Sequence, residues 1–99
     1  MRYTLETTPV FDKWLSRLRD KATRHKLAAR LERITHGNFG DHKQLAEHLF
    51  ELRFTSAGGL RVYYTPRSGR IVLLLNGGNK TSQSKDIARA EKIITELEL

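Results

Sequence analysis

LRVYYTPRSGRIVLLLNGGNK, residues Leu60 to Lys80, is the stretch whose reading decides the fold. From Leu60 to Thr65 the chain alternates, with Leu60, Val62 and Tyr64 on one face and Arg61, Tyr63 and Thr65 on the other, which predicts a strand with one buried side. Pro66, Arg67, Ser68 and Gly69 have turn chemistry. Ile71 to Leu75 is an unbroken aliphatic run, too short for an ordinary helix and too apolar for a sheet edge, so it predicts a central strand covered on both faces. That strand is expected to end at Asn76, Gly77 and Gly78, where two glycines allow a sharp turn or a close approach by a partner. Lys80 and Thr81 follow at the same sheet end, which makes Arg61, Tyr63 and Lys80 candidates to converge.

Working outward, His48 to Phe54 alternates again, with Phe50, Leu52 and Phe54 toward a core and Leu49, Glu51 and Arg53 away from it. Ala57, Gly58 and Gly59 link this strand to the next, so an antiparallel meander of three strands is expected. GNFGDHKQL, residues 37–45, reads as a loop with Phe39 tucked under it and Lys43 near its end. Before it, Thr8 as N-cap and Pro9 at the first helical position open an amphipathic helix carrying Phe11, Trp14, Leu15 and Leu18. A break near Asp20 leads to a second helix, about Thr23 to Thr35, with Leu27, Ala28, Leu31 and Ile34 as its apolar stripe, and the link suits a helical hairpin. Arg2 to Glu6 is a short alternating segment able to join the sheet. Ser82 or Ser84 caps a last helix whose Ile87, Ala90, Ile94 and Leu97 should pack on the sheet. The predicted class is α+β, within one domain over residues 1–99.

The formal charge of +7 and a pI near 10.1 point to a polyanionic partner without choosing among nucleic acid, membrane surface and acidic protein. Eight basic residues between Lys13 and Arg33 face only Asp20 and Glu32, so the helical hairpin carries much of this charge. It is either a solvated outer face or a track for RNA phosphates, with Lys26, Arg30 and Arg33 as the contacts. The absence of cysteine excludes disulfides, thiol catalysis and cysteine-bound zinc. His25, His36, His42 and His48 lack the spacing of a zinc site, GGNK lacks the spacing of a P-loop, and the acids offer no pair assignable to one face; no metal or cofactor is expected. No run has transmembrane length, and Met1 to Val10 lacks the apolar core of a signal peptide, so an intracellular, cytoplasmic protein without a membrane partner is expected. Glu96 and Glu98 give the last helix an acidic end that argues against RNA contact there.

What remains for chemistry is Arg53 and Arg61 on adjacent strands, Tyr63 beside Arg61, Lys80 after the glycines and Lys43 in the preceding loop. Fixed cations are what metal-free phosphodiester cleavage requires: they stabilise the extra negative charge on a pentacoordinate phosphate, ease ionisation of an attacking 2′-hydroxyl and neutralise the leaving 5′-oxygen. An aromatic side chain adds a surface on which a base stacks. The same residues equally suit a half-exposed sheet whose cations are solvated or paired with Glu47, Glu51 and Asp86.

The helix FDKWLSRLRD, the loop GNFGDHK, the strand pair LFELRF and LRVYY, and IVLLLNGGNKTSQSKDI leading into the last helix together resemble the RelE/ParE toxin superfamily, most closely its HigB-like branch of addiction module killer proteins. The resemblance spans nearly the whole chain. It implies a sheet packed against two N-terminal helices and a bacterial toxin of a type II toxin-antitoxin pair, neutralised by a cognate antitoxin, commonly of the helix-turn-helix type. It further implies ribosome-dependent cleavage of mRNA by 2′-OH attack, leaving a 2′,3′-cyclic phosphate and a 5′-hydroxyl. By position Arg61 matches the family's catalytic arginine, Lys80 its second basic residue and Arg53 a basic residue of the preceding strand, with Tyr63 placing a base and Lys43 and Gln83 as RNA contacts. Two departures stand out: Leu49 and Glu51 replace the two lysines that RelE carries on the strand before the arginine, and no tyrosine occurs between Gln83 and Ile87, where RelE has one acting on RNA. The rival readings are a non-enzymatic DNA gyrase inhibitor, as the ParE branch provides on this fold, and an RNA-binding module without catalysis.

Overall fold

A computed structural model describes residues 2–97; Glu98, part of the expected acidic end, lies outside them. In chain order the elements are β1 (Thr4–Thr7), α1 (Pro9–Ser16), α2 (Lys21–Thr35), β2 (His42–Ala46), β3 (Leu49–Arg53), β4 (Arg61–Arg67), β5 (Ile71–Gly78) and α3 (Gln83–Leu97). The strands form one sheet in the order β1-β5-β4-β3-β2, antiparallel from β2 to β5, with β1 parallel to β5. The class is α+β, as the sequence predicts, and the expected three-stranded meander is β3-β4-β5 within a larger sheet.

Each face of the sheet has its own core. Phe11 of α1 and Leu27 and Ile34 of α2 pack on Leu52, Val62, Tyr64, Val72 and Leu74. On the opposite face, Ala90 of α3 packs with Leu49, Tyr63, Leu73 and Leu75, flanked by Ile87, Ile93 and Ile94. β5 is therefore covered on both sides, and its run of aliphatic residues is explained. Thr8 fixes the start of α1 to that strand: its hydroxyl accepts from Phe11 N at 3.0 Å and donates to Leu75 O at 2.6 Å, while its own N–H donates to Leu74 O at 3.1 Å. Asp20 caps α2 through Thr23 N at 3.0 Å, and Arg24 of α2 donates to Leu15 O and Leu18 O at the end of α1.

Four local expectations change. Residues 37–45 are not all loop: His42–Ala46 is an edge strand, and because nearly all of it is exposed it carries no hydrophobic alternation to reveal it. Pro66 and Arg67 continue β4, since the fixed φ of proline suits extended backbone, and the turn falls on Ser68 and Gly69, at φ of 48° and 77°. Ala28 is exposed, and Thr23 is the buried residue at the start of α2. Finally, the face of β3 and β4 that carries Leu49, Glu51, Tyr63 and Thr65 is buried as fully as the other, because α3 lies over it.

A bulge in β5 opposite Tyr63 and Tyr64 resets the pleat, so that Leu75 and Asn76 both serve the α3 side: Leu75 in the core, Asn76 through a hydrogen bond from Nδ2 to Asp86 O at 3.0 Å. Beyond it the two glycines face opposite helices. A Cβ on Gly77 would lie 2.5–2.6 Å from three indole atoms of Trp14, and one on Gly78 would overlap Asp86 Oδ2 and sit 2.8 Å from Ser82 Oγ. Neither glycine has a positive φ among those found; both are required for close approach rather than for turning. Gly77→Ala should therefore force the indole off its strand and cost about 1–3 kcal/mol, a Tm loss of about 4–8 °C per kcal/mol. Thermal denaturation followed by circular dichroism measures this, and an unchanged Tm would mean that Trp14 is not clamped there.

Candidate functional site

Antiparallel register lays the candidate residues out in rows. Lys43, Glu51, Tyr63 and Asn76 are successive cross-strand partners from β2 to β5, and Arg53, Arg61 and Gly78 form the row two residues further toward the sheet end. Directly opposed residues share a face, so the first row lies on the side of α3. The first turn of α3 closes over it.

Arg61, at the start of β4, is mostly buried, with its side chain 13% exposed. Its Nη1 donates to the carbonyls of Gly59 at 3.1 Å, Leu60 at 3.2 Å and Phe54 at 3.4 Å, and its Nε lies 4.0 Å from Glu51 Oε1. Glu51 is 1% exposed, and its other oxygen accepts from Gln83 Nε2 at 3.1 Å. The guanidinium is thus fixed from two sides, by its own loop and by a buried carboxylate that α3 holds. Lys80 comes up beside it across Gly59: a Cβ at that glycine would be 3.5 Å from Arg61 Nη1 and 3.1 Å from Lys80 Cβ. The Lys80 N–H donates to Gly58 O at 3.3 Å, and its side chain is exposed. Gly58 and Gly59 have φ of 70° and 80°, backbone that favours glycine, and they let the two cations approach.

The remaining candidates divide. Arg53 is Arg61's cross-strand partner, and its Nη2 lies 3.5 Å from Asp41 Oδ1; it borders a second groove, of about 530 Å3, with Lys26 and Arg33 of α2. Gln83 is brought to Arg61 through Glu51, and Lys43 is exposed on the edge strand opposite Glu51. Two assignments fail. Tyr63 is 0% exposed, so it has no face on which a base can stack. Arg30 is committed to the fold, because Nη1 donates to Arg53 O at 2.8 Å, Nη2 to Asp41 O at 2.7 Å and Phe39 O at 3.2 Å, and its guanidinium lies 4.5 Å over the Phe54 ring. It ties the 39–41 loop to β3. Gly40 permits this, since a Cβ there would be 2.8 Å from Arg30 Nε, and this glycine is the one sequence signal that the arginine is structural.

Sequence reasoning offers Glu51 as an ion-pair partner for these cations, which the 4.0 Å contact with Arg61 matches, but gives no sign of its burial or of the hydrogen bond from Gln83. Burial, then the carboxylates of Glu51 and Asp86, push the Tyr63 phenol from 10.0 up to about 12, against Arg61, and burial alone raises Tyr64 to about 12. Three buried atoms on this side, Arg61 Nε, Tyr63 OH and Asn76 Oδ1, have no hydrogen-bond partner among the described residues. The arrangement is a held guanidinium and an exposed lysine on either side of Gly59 at a sheet end, able to hold an anion and to neutralise charge that develops on it.

Residues 13–98 match the family model "Phage derived protein Gp49-like" (DUF891). The chain belongs to this family. It is a RelE-like toxin family, so the chain lies within the RelE/ParE superfamily that its sequence resembles. The chain is also 42% identical over its full length, and that of the relative, to an uncharacterised protein of Haemophilus influenzae. In fold it is similar to a double arginine-to-alanine mutant of the E. coli toxin RelE in the free state, with a TM-score of 0.76 at 18% identity over 95% of this chain and 99% of that one. RelE within the intact E. coli RelBE toxin-antitoxin complex matches with a TM-score of 0.61 at 18% identity, over 78% of this chain and 95% of that one.

Because the Tyr63 hydroxyl is buried and unpaired, Tyr63→Phe should be neutral or stabilise the protein by up to about 1 kcal/mol. It should also flatten the alkaline limb of stability. The unfolded phenol ionises near pH 10 and the folded one near 12, so between them the unfolded state binds fewer protons and stability falls as pH rises, being intact below pH 10. Urea titrations of both proteins across that range test this; a large loss of stability in the variant at neutral pH would contradict it.

Proposed function

We propose that this RelE-like toxin is a ribosome-dependent mRNA endonuclease of the HigB-like branch, working in the cytoplasm by a metal-free reaction. The observation that carries this reading is the juxtaposition of Arg61 and Lys80 across Gly59 at an exposed sheet end. In the reaction the 2′-oxygen of the nucleotide 5′ to the scissile bond attacks phosphorus, its proton passes to solvent, and the P–O5′ bond breaks. The products are a 2′,3′-cyclic phosphate and a 5′-hydroxyl. Arg61 holds the non-bridging oxygens as charge accumulates on them, and the Lys80 ammonium gives a proton to the departing O5′ and regains one from solvent, which balances the proton released from the 2′-hydroxyl. Arg53 adds positive potential from the adjacent strand. Glu51 and Gln83 are positioning residues that orient Arg61; Glu51, at 1% exposure, does so without touching RNA. That a glutamate rather than a lysine stands here shifts the work of the site onto fewer cations, and a slower toxin is the expected consequence.

A cognate antitoxin, commonly a helix-turn-helix protein in this branch, is the proposed partner; complexes of this kind are represented by E. coli RelE with RelB and with a RelB peptide. No helix among the described residues is long and apolar enough to cross a membrane, which accords with the proposed location.

Mapping transcript 5′ ends shortly after induced expression tests the assignment. The intact protein should create new ends inside translated frames that disappear when translation is blocked, and Arg61→Ala should abolish them, a loss of at least about 100-fold, while still binding antitoxin. Growth arrest without new ends, with DNA supercoiling reduced instead, would replace the nuclease by a gyrase inhibitor.

A further inference from the structure

A groove of about 570 Å3 runs between α1 and α3 on the far side of Gly77 and Gly78 from the meander. Its walls carry Lys13 and Arg17 from α1 and Lys85 and Arg89 from α3. Each pair is spaced i, i+4, so the two cations on each wall lie on one helix face about one turn, or about 6 Å, apart. All four side chains are exposed, and among the described residues none has a carboxylate within ion-pair distance. The one acid lining the groove, Asp86, is hydrogen-bonded by the Ser82 hydroxyl.

The floor is the end of β5, from Asn76 to Asn79, where the glycines admit no side chain. Cations on both walls match a ligand that carries repeating negative charge. Trp14, which also lines the groove, adds an aromatic edge. The groove borders the Arg61 site at two points: Gly78 in its floor is the cross-strand partner of Arg61, and Asn79 precedes Lys80 in the chain.

We propose that this groove holds the phosphate backbone of the single-stranded RNA whose scissile bond lies at Arg61 and Lys80. The proposal rests on the nuclease reading and adds a second contact region to it. Lys13 and Arg17 face Lys85 and Arg89 across the strand, and the RNA leaves the cleavage site between α1 and α3 rather than over α2.

Binding of a fluorescein-labelled oligoribonucleotide tests this, measured by anisotropy over a range of salt concentrations in the Arg61→Ala background to prevent cleavage. One protein carries Arg61→Ala alone, and the other adds Lys13→Gln, Arg17→Gln, Lys85→Gln and Arg89→Gln, all surface changes whose folding is checked by a thermal melt. Each phosphate contact to a single strand contributes about 0.7 to the slope of log K against log salt, so the added changes should lower that slope by up to about 3 and weaken binding about 10- to 100-fold at low salt. A companion carrying Arg67→Gln and Arg70→Gln, exposed at the β4–β5 turn at the other end of the sheet, should keep the parent's slope. Equal slopes for the groove variant and its parent, or no binding by the parent at low salt, would overturn the proposal. So would loss of binding to ribosomes, or to polyglutamate, with oligonucleotide affinity unchanged. A groove-dependent slope in a protein whose wild type cuts no RNA would uphold the groove and remove the nuclease reading instead.

Discussion

The close approach of α1 and α3 to the end of β5 is the constraint on which this structure turns. Two successive residues without side chains let Trp14 lie on one face of the strand and Asp86 with Ser82 on the other. The helices sit on opposite sides of the sheet, so this contact sets the width of the molecule where the chain leaves β5 for Lys80 and α3. It also fixes what stands next to Arg61, because Gly78 is its partner across the β4–β5 ladder. A bulkier residue at either glycine would move a helix, and with it the cations on that helix.

The layer beneath the start of α3 is polar where the opposite layer is not. Glu51, Tyr63 and Asn76 are buried there beside Arg61 and Gln83, and the cost of leaving a buried polar atom unpaired is about 1–3 kcal/mol. Apolar burial of Leu49, Leu73, Leu75 and Ala90 further along the same face offsets it. The helix is thus anchored by its apolar face and carries, at its N-terminal end, the group that holds Glu51 against Arg61. Stability and the orientation of the guanidinium are coupled through one glutamine.

Much of this was legible in the chain. Alternation in residues 60–65, the aliphatic run of 71–75, and the Thr8-Pro9 start of α1 each produce the element they predict, because in each the local preference and the tertiary environment agree. β2 was illegible because an exposed edge strand has no apolar face, and its pairing is visible only once β3 is in place. The site was read in part: Arg61 and Lys80 meet as their positions suggest. Tyr63 and Arg30 misled, because alternation separates faces without saying that a helix covers the second one, and a basic helix gives no sign of which arginine turns inward. Alternation puts Glu51 on the face away from the predicted core, where pairing with cations is one of two readings; its burial depends on α3, which follows it by some thirty residues.

The central claim is that fixed cations at the end of this sheet promote attack by a ribose hydroxyl on the adjacent phosphate. The most direct test is to add purified protein to ribosomes programmed with an mRNA that carries a single 2′-deoxy substitution at a mapped cleavage position, in the presence of a metal chelator compatible with intact ribosomes. Cleavage of the all-ribose message to a 2′,3′-cyclic phosphate, with the deoxy position resistant, is the predicted result. Cleavage of the deoxy message at the same position, or products ending in a 3′-hydroxyl, would contradict it.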